Sequence, residues 1–213
     1  MEKGEKMADI KTLYERISSE LKDKTLNEGK YLGNGILKVD SFINHQIYPE
    51  LMNHAGEFTA AYFAEYGITK VITIETSGII PAYAAASCLN VPLVFTRKKK
   101  PITMKNEFSE SAPSHTKGGI VTLHLSQEMI SPSDNVLIVD DFLASGRTIH
   151  ALTKIIEKSG ASLAGIVTVI EKTFEGGRQL LENNLSVPVI GLLRISSLSE
   201  EGIEFEEGMG VEF

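Results

Sequence analysis

The chain has 213 residues, 42% of them hydrophobic and 23% charged, with 21 Lys and Arg against 28 Asp and Glu for a formal charge of −7. This is the size and make-up of one domain with ample apolar material for a core, and it excludes a collagen-like, mucin-like or disordered chain. The acidic balance argues against a protein that coats nucleic acid or lies on an anionic membrane, while leaving room for a local basic patch that holds phosphate.

The first residues, Met1 to Asp9, are polar and mixed in charge, without the apolar centre of a secretory signal, and no apolar run is long enough to span a bilayer. Ile10, Leu13, Ile17 and Leu21 then recur at steps of three and four, which places them on one face of a helix. Asn27 to Gly29 and Gly33 to Gly35 break this periodicity and read as loop. A second helix is expected from Leu51 through Ala55, Phe58 and Tyr62 to Tyr66, with Gly67 as its left-handed C-terminal cap.

Beyond Gly67 the pattern changes to short runs rich in Val and Ile: Val71 to Ile74, Val91 to Phe95, Val136 to Val139, Ile166 to Ile170 and Val187 to Leu193. These read as buried strands. Helical patterns lie between them, such as Ile149 to Ser159 with Gly160 behind, so the class is α/β with a central parallel sheet joined by right-handed crossovers. Cys88, the only cysteine, permits neither an internal disulfide nor a thiolate cluster for zinc, and a reducing cytoplasm is the expected compartment. Residues 97 to 118 interrupt the alternation with Arg97, Lys98, Lys99 and Lys100 followed by a polar stretch, and are expected to form a flexible loop over the site. The five histidines have no metal-ligand spacing.

The most informative segment runs from Val136 to Thr148, an apolar strand ending in Asp140 and Asp141, then Ala144-Ser145-Gly146-Arg147-Thr148, then a helix. Ligands of open α/β sheets sit beyond the carboxyl ends of the strands, where the two acids are expected to hold hydroxyl groups. The turn into the helix offers backbone NH groups and the positive end of the dipole to a phosphate dianion. Gly146 lets the backbone approach closely, and the Ser145 and Thr148 hydroxyls add donors. Acids above hydroxyls with a phosphate cradle beside them are complementary to a ribose 5-phosphate. Neither a Walker-type loop nor a G-x-G-x-x-G fingerprint occurs.

On this strand, acid pair and phosphate loop the chain resembles the type I phosphoribosyltransferases, which use 5-phosphoribosyl 1-diphosphate (PRPP). Ile36-Leu-Lys-Val-Asp-Ser-Phe-Ile-Asn44-His-Gln46 and Val169-Ile-Glu-Lys172-Thr-Phe174 narrow the likeness to the bacterial xanthine phosphoribosyltransferases. The resemblance covers most of residues 30 to 205 and departs from the family in a longer stretch before Ile36. It implies a type I phosphoribosyltransferase fold: a mainly parallel central sheet flanked by helices, in a single domain with an N-terminal base-binding hood at about 10–66 and a core at about 67–200. It also implies that Leu37, Asn44 and Lys172 contact xanthine, that Ala144 to Thr148 hold the PRPP phosphate, and that Mg2+ arrives with PRPP. A homodimer is implied too, with basic residues of one chain reaching the site of the other.

Ser77 and Gly78, between a strand and a helix, form either a second anion nest for pyrophosphate or a plain helix start. Arg97 and Lys98 are either a solvated edge or a neutraliser of pyrophosphate. Lys172 follows its strand directly, where an ammonium donates to a purine carbonyl and repels an amino group, which favours 6-oxopurines over adenine. Phe174 either stacks on the base or belongs to the core. Two alternatives remain open: a hypoxanthine or guanine phosphoribosyltransferase, and a PRPP-sensing regulator that keeps the fold. The latter needs a DNA-binding domain that the residues before Ile36 are too few to build.

Overall fold

A computed structural model describes residues 3–113 and 119–211. The hood comes first. Helix α1 (Lys3–Glu28) buries Ile10, Tyr14, Ile17 and Leu21, the face expected from their spacing. A short antiparallel pair, β1 (Lys30–Tyr31) and β2 (Leu37–Lys38), is closed by Gly33, Asn34 and Gly35, all three with positive φ. A π-helical turn over Asp40–Asn44 buries Phe42 and Ile43 and leads to α2 (Pro49–Tyr62). This helix stops short of the expected Tyr66, and Gly67, with φ of +64°, lies in the turn that follows.

The core is a six-stranded sheet in the order β10-β9-β8-β7-β3-β4, formed by β3 (Lys70–Ile74), β4 (Leu93–Thr96), β7 (Asn135–Leu143), β8 (Ser162–Lys172), β9 (Val189–Ser199) and β10 (Gly202–Glu206). Every pairing is parallel except that of β10 with β9. Helices α3 (Ile79–Leu89), α4 (Arg147–Ser159) and α5 (Gly177–Glu182) connect the strands. Successive strand residues alternate between two cores, as the pleat requires. Val71, Leu137, Val139, Val167 and Val169 join α1, α2 and α3 on one face, while Ile72, Ile74, Val136, Ile138 and Ile166 join α4 on the other. With both faces covered, the strands read as continuous apolar runs and not as alternating ones.

Two expectations need correction. Residues 97–118 are not one flexible loop: Glu107–Pro113 form β5, which pairs antiparallel with β6 (Ile120–Ser126). Lys158 of α4 ties this hairpin down through the Ser109 carbonyl at 3.2 Å and Glu110 at 2.6 Å. Residues 114–118 lie outside the described residues. Nor does the third expected strand end at the acid pair, since β7 continues past both aspartates and pairs Phe142 and Leu143 with Ile170 and Glu171 of β8.

Candidate active site

A cavity of about 780 Å³ opens where β3, β7 and β8 end beneath the hood. Its position follows from unequal strand lengths. Pairing between β3 and β7 stops at Ile72 and Ile138, whereas β7 and β8 run on together, so the last residues of β7 have one uncovered edge. Asp140 and Asp141 stand on that edge and both line the cavity.

Asp140 is only 7% exposed, and the Thr73 hydroxyl approaches its Oδ1 at 3.4 Å. Burial, reinforced by the charge of Asp141, pushes its carboxyl well above the ordinary range. Asp141 is also raised, chiefly by burial, with the hydrogen bond from Asp140 and the nearby Lys98 charge opposing the shift. Burial and proximity therefore both oppose simultaneous ionisation of the two acids.

Ala144, Ser145, Gly146, Arg147 and Thr148 line the cavity beside the acids. Gly146 has φ of +71° and caps the N-terminus of α4, so the expected cradle is present: a left-handed glycine, then free NH groups at the positive end of a 13-residue helix. A Cβ on Gly146 would lie 2.7 Å from the Gly177 carbonyl oxygen and 2.9 Å from its Cα, so the glycine is needed for packing against α5 as well as for approach to an anion.

Lys172 lines the same cavity. The last residue of β8 is 7% exposed, and its Nζ donates to the Gly35 carbonyl of the hood at 2.7 Å and lies 3.3 Å from Glu175. Leu37 and Asn44 join it on the cavity wall. Phe174 is 45% exposed and lies under the hood tip, where a Cβ on Gly35 would touch its ring at 3.6 Å; it is not a core residue.

The second anion nest and the basic run fare unevenly. Ser77 and Lys98 line the cavity, but Gly78 and Arg97 are not on its wall. Gly78 serves the packing of the acids, since a Cβ there would overlap Asp140 Oδ1 and the Thr73 hydroxyl. Arg97 pairs with Glu75 at 2.8 Å, and the same carboxylate accepts the Lys98 backbone NH at 2.6 Å. Lys98 thus lies on the wall of its own chain's cavity, held near it by Glu75. Glu75 and Glu175 were missed as partners of the site's cations, because only the fold sets each carboxylate against its cation. Among the described residues, no group of three or more His, Cys, Asp or Glu is placed to hold a metal ion.

Acid pair, phosphate cradle and buried lysine around one cavity at the strand ends define a protein that holds a phosphorylated sugar against a flat polar acceptor. The chain belongs to the phosphoribosyltransferase family: the model described as phosphoribosyl transferase domain matches residues 43–183. Xanthine phosphoribosyltransferases are among its relatives, that of Shouchella clausii strain KSM-K16 being 46% identical over 189 residues, 88% of this chain and 94% of the relative. The xanthine phosphoribosyltransferase of Bacillus licheniformis is 47% identical over 191 residues, 89% of this chain and 98% of that protein. Among solved structures, adenine phosphoribosyltransferase from Rhodothermus marinus aligns with a TM-score of 0.69 at 29% identity, covering 84% of this chain and 98% of that one. The fold is that of the type I phosphoribosyltransferases.

Proposed function

We propose that this enzyme transfers the 5-phosphoribosyl group of PRPP to N9 of xanthine, giving xanthosine 5′-monophosphate and pyrophosphate in purine salvage. One observation carries the reading: a single cavity is lined both by the acid pair with the α4 cradle and by Lys172, Leu37 and Asn44. The cradle takes the 5-phosphate, Asp140 and Asp141 take the ribose hydroxyls and complement the positive charge that develops at C1, and Lys98 with Ser77 faces the pyrophosphate. Catalysis is placement and electrostatics, with no protein nucleophile. Asp140 and Asp141, two adjacent carboxylates on the cavity wall, would face Mg2+ that arrives on PRPP. Bound there, the ion neutralises the leaving pyrophosphate.

Base choice separates xanthine from adenine. The solved adenine enzymes share the fold, while the relatives at 46–47% identity are named for xanthine. Lys172 supports xanthine chemically, because an ammonium donates to the oxo groups of xanthine and has nothing to accept the adenine amino group. Hypoxanthine and guanine share one such oxo group and are the alternative acceptors. A homodimer is part of the reading, supported by exposed Tyr83 of α3, Phe95 of the edge strand β4 and Ile102 beyond it. So is a cytoplasmic location, supported by a single cysteine that is free; among the described residues no helix is long and apolar enough to cross a membrane.

Lys172→Met tests the base assignment. The thioether keeps the apolar length and removes the charge, so kcat/KM for xanthine is expected to fall roughly a hundredfold while PRPP affinity stays within a few-fold. Unchanged xanthine turnover and unchanged ranking of bases would contradict it.

A further inference from the structure

Lys172 and the phosphate cradle line one cavity, and one buried ionic cluster joins their supports. Glu171 precedes Lys172 on β8, and its side chain is 1% exposed. Alternation along the strand sends it to the face away from the lysine. Arg178 grips both carboxylate oxygens, Nε to Oε1 at 2.8 Å and Nη2 to Oε2 at 2.6 Å, and Arg194 Nε adds a third bond to Oε2 at 3.2 Å. Arg178 directly follows Gly177, whose backbone packs against Ala144 and Gly146 of the cradle.

The C-terminal segment closes this cluster from outside. Arg178 Nη1 donates to the Val189 and Gly210 carbonyls at 2.6 and 3.1 Å, and Nη2 lies 3.4 Å from the Met209 carbonyl. Arg194 reaches Glu206 at 2.7 Å and the Glu207 carbonyl at 3.3 Å, while the Gly191 NH donates to the Met209 carbonyl at 3.0 Å. Met209 is fully buried. Gly210, with φ of +90°, leaves no room for a side chain, since a Cβ there would fall inside the Arg178 guanidinium.

A buried ion pair contributes little net stability against a well-packed apolar substitute, because desolvation offsets the attraction; what it fixes is geometry. We propose that Arg178, held by Glu171 and by the 207–210 segment, is a positioning residue that sets the phosphate cradle at the correct distance from Lys172. The C-terminal segment is then a remote determinant of both PRPP binding and base choice. The proposal rests on the reading of 144–148 as the phosphate cradle.

The experiment compares Arg178→Met, Arg178→Lys, Gly210→Val and Gly210→Ala in the full chain, well below the melting temperature, with folding checked by circular dichroism. Displacement of the cradle is expected to lower kcat/KM for PRPP roughly tenfold to a hundredfold in Arg178→Met, and to narrow the preference for xanthine over adenine in the same variant. Arg178→Lys is expected to recover part of both, and Gly210→Val to reproduce both at a position remote from the cavity. If Arg178→Met does not fold, Arg178→Lys and Gly210→Ala carry the comparison as milder forms of the same displacement. Folded variants that melt earlier but keep the parent kinetics and base ranking would reduce the cluster to a structural role and overturn the proposal. Gly146→Val is measured alongside: intact PRPP binding in that variant would remove the cradle reading itself, whereas its loss together with parent-like Arg178 and Gly210 variants would remove only the positioning role.

Discussion

Asp140 carries the sharpest conflict between stability and activity in this chain. Burial and the neighbouring Asp141 raise its carboxyl above the value it has in the unfolded chain. Its protonated form therefore favours the fold below the ordinary carboxylate range, and that contribution is lost as the pH rises through the raised value. As the pH rises through that value the unliganded protein takes on a buried charge, which PRPP and its cation would relieve. Replacing Asp140 and Asp141 together by Asn should lower kcat/KM by about 3 kcal/mol or more in transition-state terms. It should also raise the melting temperature of the unliganded protein at neutral pH. Relief of roughly 1–2 kcal/mol corresponds to a gain of about 2–8 °C in a chain of this size, and the gain should shrink in acid. Scanning calorimetry at two pH values checks the stability change and steady-state kinetics the activity. A double variant with parent turnover would contradict the assignment of the pair.

Among the elements, the start of α4 is the most exacting. Gly146 combines a left-handed backbone with contact against the Gly177 main chain, and main chain does not swing aside as a side-chain tip would. Gly146→Val should therefore weaken PRPP binding by about tenfold or more, read by calorimetric titration, with a moderate loss of stability from the strained φ. This element was legible because strand, acids, small turn and helix are contiguous, and local chemistry dictates each part. The β5–β6 hairpin was not. Strand β5 carries Ser109, Glu110, Ser111 and Pro113 among few apolar residues, and the hairpin's hold on α4 through Lys158 is a long-range contact that no local pattern announces. The same holds for Arg97: four cations in a row read as one patch, but the fold pairs the first with Glu75 and turns the second toward the acids. The Glu171–Arg178–Arg194 cluster escaped for the mirror reason, being assembled from three elements whose charges look ordinary one by one.

At the scale of the whole molecule, placement of Lys98 on its own chain's cavity makes a prediction about the proposed dimer. Mixed dimers of Lys98→Ala and Asp141→Asn subunits hold no site with both groups when the lysine acts within its chain, so they should recover no activity. Verified hybrids that regain a substantial part of the parent rate would place the lysine in the partner's site. This outcome is the reverse of what the family likeness implies for the basic run, and it follows from the Glu75 carboxylate drawing residues 97 and 98 back to the β3 end.

The two groups of residues that line the cavity together specify a phosphoribosyl donor and an oxopurine acceptor, and turnover of PRPP with xanthine, guanine, hypoxanthine and adenine side by side measures both at once. The purified enzyme with Mg2+ should give its highest kcat/KM with xanthine and its lowest with adenine, separated by as much as roughly 10⁴-fold, because the Lys172 ammonium can donate to an oxo group of the base and not to an amino group. PRPP-dependent turnover that ranks adenine above xanthine, or none with any of the four bases, would contradict it.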